Sequence, residues 1–150
     1  MIRGTNWIGD AILTLPAVFS IRATYPQAHI AVLVKPWVAD IYELFSVVDE
    51  IIIYENKFDT PAGVFRLARM LKRKNFDAAI LLQNAIEAAI IVLAAGIPLR
   101  AGYDSDARGL LLDVEHEPDV GAGTFRAVEQ AAQPGPGRRW GGDRAGLMLP

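Results

Sequence analysis

Polar and aromatic side chains that could do chemistry are concentrated in a short glycine-containing segment, residues 3–10, which reads RGTNWIGD. Its only carboxylate is Asp10, which comes directly before a run of apolar residues with helical spacing. The start of a helix favours an ionised carboxylate, and an ionised Asp10 could act as a general base toward a ligand hydroxyl group. The alternative is that Asp10 is an N-cap residue that binds free backbone amides. Both interpretations can hold together.

Three neighbours of Asp10 are candidate ligand-binding residues. Thr5 and Asn6 can exchange hydrogen bonds with a polar ligand, and Trp7 could stack on the face of a sugar ring. Turn formation with one surface aromatic explains the same residues equally well. Gly4 and Gly9 have the spacing of a P-loop, but Asp10 follows where a P-loop needs lysine, and a carboxylate there would repel phosphate. The dinucleotide pattern G-x-G-x-x-G is absent from the first 120 residues, so neither nucleotide fingerprint is present.

A second polar segment follows the predicted fourth strand. Gln83 and Asn84 place two amides directly after a buried apolar run, and amides there suit the recognition of hydroxyl groups. The alternative is a structural one, in which Asn84 caps the following helix.

A third candidate is a basic helix face. Arg66, Arg69 and Arg73 are spaced at i, i+3 and i+7, so they share one side of a predicted helix. That side would attract an anionic lipid surface or a phosphorylated acceptor. A solvated outer face is the alternative, since charge is ordinary on exposed helices.

Composition excludes several classes of protein. The chain has 150 residues, of which 52% are hydrophobic and 21% charged, so it can bury a core. Its net charge of −2 argues against a nucleic-acid partner. With no cysteine and only two histidines, thiolate zinc sites and multi-histidine metal sites are excluded, and no metal or other cofactor is expected. Residues 118–150 are rich in Gly and Pro, which predicts an irregular tail after a domain at residues 1–117.

Strands and helices alternate through that domain. Because the predicted strands are almost continuously apolar, they indicate an α/β domain with a Rossmann-like, doubly wound parallel sheet whose first strand is truncated. The strand order 3-2-1-4-5 would place residues 4–10 and 83–87 beside one crevice, at the carboxyl ends of the strands. The predicted helices are Asp10–Tyr25, Val38–Phe45, Pro61–Lys74 and Ile86–Ala95, and the predicted strands are Ile2–Arg3, His29–Val34, Glu50–Tyr54, Asp77–Leu82 and Leu99–Gly102.

Residues 3–18 (RGTNWIGDAILTLPAV) and 95–112 (AGIPLRAGYDSDARGLLL) resemble the ADP-heptose:lipopolysaccharide heptosyltransferases of glycosyltransferase family 9. The resemblance implies the N-terminal, acceptor-side half of a two-domain GT-B fold, with a donor-binding half that the chain lacks. It also implies transfer of heptose from ADP-heptose to the inner core of lipopolysaccharide, with inversion and with Asp10 as the base.

The expected location is the cytoplasm, with peripheral contact at the inner face of the inner membrane. Because catalysis requires both substrates to be held together, we expect the chain to be inactive alone. The alternative function is a non-catalytic Rossmann-like binding module that acts with a partner chain.

Overall fold

The computed structural model describes residues 1–83, 85–103 and 114–116. These residues form one six-stranded, all-parallel sheet with the strand order β3-β2-β1-β4-β5-β6. The predicted fold class and the predicted order of the first five strands are confirmed. The predicted tail at residues 118–150 lies outside the described residues. The strands are β1 Ile2–Arg3, β2 Ala31–Val34, β3 Glu50–Ile53, β4 Ala78–Leu81, β5 Leu99–Tyr103 and β6 Val114–His116.

Four α-helices connect the first five strands, and each was predicted within about two residues at either end. The sequence analysis did not predict β6. Helix α1 begins earlier than expected, and it continues through Pro16, whose carbonyl oxygen accepts from the Ser20 hydroxyl at 2.9 Å. The helices are α1 Ile8–Thr24, α2 Pro36–Glu43, α3 Pro61–Lys72 and α4 Ile86–Ala94, and a single 3₁₀ turn covers Asn56–Phe58.

The helix ends follow local sequence signals. Pro36 and Pro61 occupy the first helical turn, where the missing amide hydrogen costs nothing. Thr60 caps α3, because its hydroxyl accepts from the Gly63 amide at 3.1 Å. Gly96 follows α4 with a φ of 72°, the left-handed conformation that ends helices and that glycine adopts without strain.

The sheet separates two apolar cores. Helices α1 and α2 cover one face, where Val18, Val32 and Tyr42 are fully buried. Helices α3 and α4 cover the other, where Leu67 and Ile91 are equally buried. Every residue of β2 is buried, as expected for a parallel strand that is covered on both sides. Polar groups therefore accumulate at the ends of the strands, which we call the amino-terminal edge and the carboxyl edge of the sheet.

Ion pairs lie at the amino-terminal edge of the sheet. Asp49 accepts from the Ile30 amide at 2.7 Å and pairs with the Arg22 guanidinium. The hydrogen bond from Ile30 and the pairing with Arg22 lower the pKa of Asp49 below its ordinary value of 3.8. Glu50 pairs with Lys74 and lies 3.2 Å from His29, and these contacts lower the pKa of Glu50 as well. Ion pairs at the surface therefore join neighbouring elements at this edge.

Acid should therefore weaken the fold through Asp49. A carboxylate whose pKa is lower in the folded state contributes stability above its unfolded pKa and loses that contribution as the pH falls through the folded value. We expect Asp49→Asn to lower the free energy of unfolding near neutral pH by at most about 1 kcal/mol, since the pair is partly exposed. The loss of stability between about pH 5 and about pH 3 should also become smaller in this variant.

Urea denaturation across that pH range measures both effects. The control is Asp40→Asn, at an exposed aspartate of α2, which should follow the wild-type pH profile. An Asp49→Asn profile identical to that of Asp40→Asn would contradict the prediction.

Candidate functional site

The two polar loops lie side by side, as predicted. Strand β1 pairs with β4 in parallel, with Arg3 opposite Leu81, and the Leu82 amide donates to the Arg3 carbonyl oxygen at 3.0 Å. The loop after β1 and the loop after β4 therefore leave the same edge of the sheet at neighbouring positions. Because α1 and α4 begin there, the positive ends of two helix dipoles lie at this edge.

The glycines of the first loop have different roles. A Cβ on Gly4 would lie 2.5 Å from Val34 Cγ1 and 3.2 Å from the Tyr42 hydroxyl, so the loop packs too closely for any side chain there. Gly9 lies inside α1, and a Cβ on it would have nothing within 4 Å. The P-loop spacing of these glycines is therefore incidental, because only Gly4 is required by packing.

A buried cation holds the first loop. The Arg3 side chain is 3% exposed, and its guanidinium donates to the Gly4 carbonyl oxygen at 2.6 Å, to the Leu33 carbonyl oxygen at 3.2 Å and to Asn6 Oδ1 at 3.1 Å. Burial lowers the pKa of Arg3 to about 10, while nearby Tyr54 and Glu87 oppose this shift. The side chain therefore stays charged at neutral pH beneath the loop.

Tyr54 lies between two buried cations. The Arg3 guanidinium carbon is 5.0 Å from the centre of its ring, and the Lys35 ammonium is 4.3 Å from that centre. The Tyr54 hydroxyl donates to Glu87 Oε1 in the first turn of α4, and Lys35 pairs with Asp59 at 3.1 Å. Burial raises the pKa of Tyr54, and the bond to Glu87 adds to the shift, so the phenol remains a proton donor. This cluster links β1, β2, β3 and α4.

The predicted ligand-binding residues of the first loop are divided between interior and surface. Thr5 is buried, and its hydroxyl lies 3.5 Å from the Trp7 carbonyl oxygen. Asn6 is held on two sides, because its Oδ1 accepts from Arg3 and its carbonyl oxygen accepts from Trp37 Nε1 at 2.9 Å. Trp7 is 73% exposed. In this arrangement Asn6 organises the loop, and Trp7 faces solvent.

Asp10 is not an N-cap. Helix α1 begins at Ile8 with Trp7 at the N-cap position, so Asp10 is the third residue of the helix. The N-cap interpretation is wrong because the chain turns into the helix two residues earlier than apolar spacing indicates. Asp10 is exposed, and within the described part of the chain it has no hydrogen bond or ion pair. Its carboxylate is therefore accessible at the edge where both loops lie.

The second loop, residues 83–87, has fewer described contacts than the first loop. Gln83 follows β4 and is half-buried, while Asn84 lies outside the described residues. Ala85 occupies the N-cap position of α4 without a side-chain cap, and the predictions made for Asn84 fall outside the described residues. Glu87, in the first turn of α4, joins the cluster through its hydrogen bond with Tyr54.

Sequence reasoning assigned no role to five residues of this edge: Arg3, Lys35, Trp37, Tyr54 and Glu87. A partial signal existed, because each is a charged or aromatic residue at the end of an apolar strand or in the first turn of the next helix. These five residues lie close together only because of the order in which the strands pair in the sheet.

Within the described ranges, no group of three or more acidic or histidine side chains is placed to hold a metal ion. No helix there is both long enough and apolar enough to cross a bilayer.

Solved structures with this arrangement of strands define the class. The chain matches a glycosyltransferase family 9 protein from Veillonella parvula with a TM-score of 0.75 and 19% identity, over 87% of this chain and 40% of the other. It also matches Escherichia coli ADP-heptose lipopolysaccharide heptosyltransferase II with a TM-score of 0.69 and 30% identity, over 77% of this chain and 33% of the other. The fold is that of the Rossmann-like half of a GT-B glycosyltransferase.

Sequence comparison identifies the family. The family model for glycosyltransferase family 9 (heptosyltransferase) matches residues 64–132. The chain is 30% identical to lipopolysaccharide heptosyltransferase 2 of Escherichia coli K12 over 123 residues, which are 76% of this chain and 34% of that protein. The resemblance to glycosyltransferase family 9 seen in the sequence is thus confirmed by a partial match to the family model and by these relatives. It spans about one third of the length of the curated relatives that it matches.

Removing the buried cation should loosen the first loop. We expect Arg3→Met to lower the free energy of unfolding by about 2–3 kcal/mol, because the oxygens of Gly4 and Asn6 lose their donor. Arg3→Lys should be intermediate, since an ammonium keeps the charge but cannot reproduce the planar set of donors. Urea denaturation measures the stability, and amide hydrogen exchange at Asn6 and Trp7 measures the order of the loop.

The matched control is Arg66→Met on the exposed face of α3, which should change stability by less than about 0.5 kcal/mol. Equal effects of Arg3→Met and Arg66→Met would show that the buried guanidinium does not hold the loop.

Proposed function

We propose that this chain supplies the acceptor-binding half of an inverting heptosyltransferase that acts on the inner core of lipopolysaccharide. One observation carries the proposal: in a family 9 fold, an accessible carboxylate, Asp10, lies at the sheet edge where polar loops and an exposed tryptophan converge. In open parallel α/β sheets, ligands bind at this edge. The names of the relatives support the substrates, since they are heptosyltransferases of lipopolysaccharide or lipooligosaccharide.

Asp10 acts as the general base in this mechanism. Its carboxylate takes the proton from an acceptor hydroxyl as that oxygen attacks the anomeric carbon of ADP-heptose. A new glycosidic C–O bond forms, the bond to the diphosphate breaks with its electron pair going to ADP, and the anomeric configuration inverts. Asp10 suits this role because it is exposed and no described residue hydrogen-bonds to its carboxylate.

The acceptor contacts in this proposal come from the two loops. Trp7 packs against a sugar ring, and Asn6 and Gln83 bind the hydroxyl groups, while the buried Thr5 supports the loop from inside. Asn84 was predicted to bind the acceptor as well and lies outside the described residues. For Asn6, the occupied Oδ1 leaves its Nδ2 group as the donor toward the ligand. ADP-heptose is bound by a donor domain corresponding to the part of the relatives that the match does not cover.

The purified chain should bind acceptor and transfer no heptose. In this proposal the donor is positioned by the part of the relatives that the 150 residues do not match, and positioning supplies much of the rate enhancement. A mass-spectrometric assay with ADP-heptose and an inner-core oligosaccharide tests this, and heptose transfer by the chain alone would contradict it.

The role of Asp10 is testable in a hybrid in which residues 1–117 replace the matching part of the Escherichia coli relative. There Asp10→Asn should lower kcat by about 10²–10⁴ and leave KM for the acceptor nearly unchanged, because only proton transfer is lost. Asp40→Asn in α2 is the matched control and should leave both constants unchanged. A rise in KM with an unchanged kcat would assign Asp10 to acceptor binding instead.

Helix α3 supports peripheral contact with an anionic membrane surface. Arg66, Arg69 and Arg73 are all exposed on the side of α3 opposite its buried residues Leu67 and Leu71. Basic side chains near an anionic bilayer each contribute about 1 kcal/mol of attraction, which salt screens. The protein would encounter a lipid-linked acceptor at such a membrane surface.

Replacing all three arginines by glutamine should therefore abolish sedimentation of the chain with vesicles that contain phosphatidylglycerol. Wild-type binding should weaken with added salt and should be absent with vesicles of phosphatidylcholine alone. Replacing Lys57, which belongs to the 3₁₀ turn, by glutamine is the control. Salt-independent binding, or binding unaffected by the triple substitution, would rule out this surface.

A further inference from the structure

Two tryptophans adjoin Asn6 at the carboxyl edge of the sheet. Trp7 follows Asn6 in the chain, and Trp37 in the first turn of α2 donates its indole N–H to the Asn6 carbonyl oxygen at 2.9 Å. Trp7 is 73% exposed and Trp37 is 50% exposed. Two large aromatic rings therefore remain in contact with water at the loop that precedes Asp10.

The environment of Trp37 fixes its orientation. Its only hydrogen-bond donor is occupied by Asn6, so a ligand can meet this side chain only through the ring. The Lys35 ammonium lies 5.9 Å from the centre of the ring and is itself held by Asp59 at 3.1 Å. The ring is thus positioned before any ligand arrives, while half of its surface stays open.

We propose that Trp37 is a second saccharide-binding residue, whose ring packs against a pyranose ring of the acceptor beside the unit that contacts Trp7. The inference rests on the proposed function, which supplies the acceptor as an oligosaccharide. A tryptophan offers a large and rigid contact area at low cost in side-chain entropy. Leaving such a ring exposed forfeits the stabilisation that burial of its apolar area would give, and ligand binding recovers it.

Trp37 contributes both a ring and an N–H group, and substitutions separate the two. Trp37→Phe keeps an aromatic ring and removes the bond to Asn6. Trp37→Leu removes both, and Trp37→Gln keeps an N–H donor without a ring. A residue that only fixes the loop would make Phe and Leu equally harmful and would let Gln restore function. A stacking residue makes Phe mild and makes Leu and Gln harmful.

The experiment uses the full 150-residue chain and a lipid-free inner-core oligosaccharide that ends in heptose, with affinity measured by isothermal titration calorimetry. We expect Trp37→Phe to bind within about threefold of wild type, and Trp37→Leu and Trp37→Gln to bind about tenfold more weakly. Urea denaturation checks that each variant is folded, and if Trp37→Leu is not, Trp37→Gln carries the test. Phe65→Leu is the control, because Phe65 is an aromatic residue of α3, on the other face of the sheet, that is 67% exposed.

The outcomes are distinguishable. Unchanged affinity in Trp37→Leu, or equal weakening in Trp37→Phe and Trp37→Leu, overturns the role of Trp37 and leaves the proposed function standing. Absence of binding by the wild-type chain overturns the proposed function together with this inference. Weakening by Phe65→Leu equal to that by Trp37→Leu also overturns the inference, since the effect would not belong to this edge.

Discussion

The arrangement at the carboxyl edge depends on one buried positive charge. Removing a guanidinium from water is unfavourable unless all its surroundings compensate, and Arg3 is compensated by two backbone oxygens, the Asn6 side chain and the face of the Tyr54 ring. These groups belong to three parts of the edge, namely the first loop, β2 and the end of β3. The charge therefore forces the first loop, β2 and the end of β3 to adopt one mutual arrangement, and the start of α1 follows directly from that loop.

The two edges of the sheet use charge differently. At the amino-terminal edge, partly exposed pairs such as Arg22–Asp49 and Lys74–Glu50 join neighbouring elements and point to no chemistry. At the carboxyl edge the cations Arg3 and Lys35 are buried, while two tryptophan rings, Trp7 and Trp37, are exposed, which reverses the usual distribution of residues between interior and surface. Such a reversal is costly for stability alone, and it is typical of sites built to meet a ligand.

Asp10 and Trp37 illustrate why the site could be predicted only in part from the sequence. The position of Asp10 before a helical pattern marked it as a candidate base, but the same pattern placed the helix start two residues late and suggested an N-cap. The position of Trp37 in the first turn of a helix gave only a partial signal, because a whole helix and strand separate it from Asn6 in the chain. A hydrogen bond between an indole and a backbone carbonyl cannot be inferred from residue type when the partners are distant in the chain.

The amino-acid sequence alone was enough to predict the alternation of strands and helices, the parallel sheet and the approximate bounds of the four helices and the first five strands. This was possible because apolar periodicity, prolines at helix starts and a glycine after α4 act over a few residues. The three-dimensional fold alone decided that Arg3, Lys35, Tyr54 and Glu87 form one cluster, since their side chains meet only after β1 is inserted between β2 and β4. Local patterns specify the conformation of a segment, whereas a site made from four separate segments exists only once long-range strand pairing has brought them together.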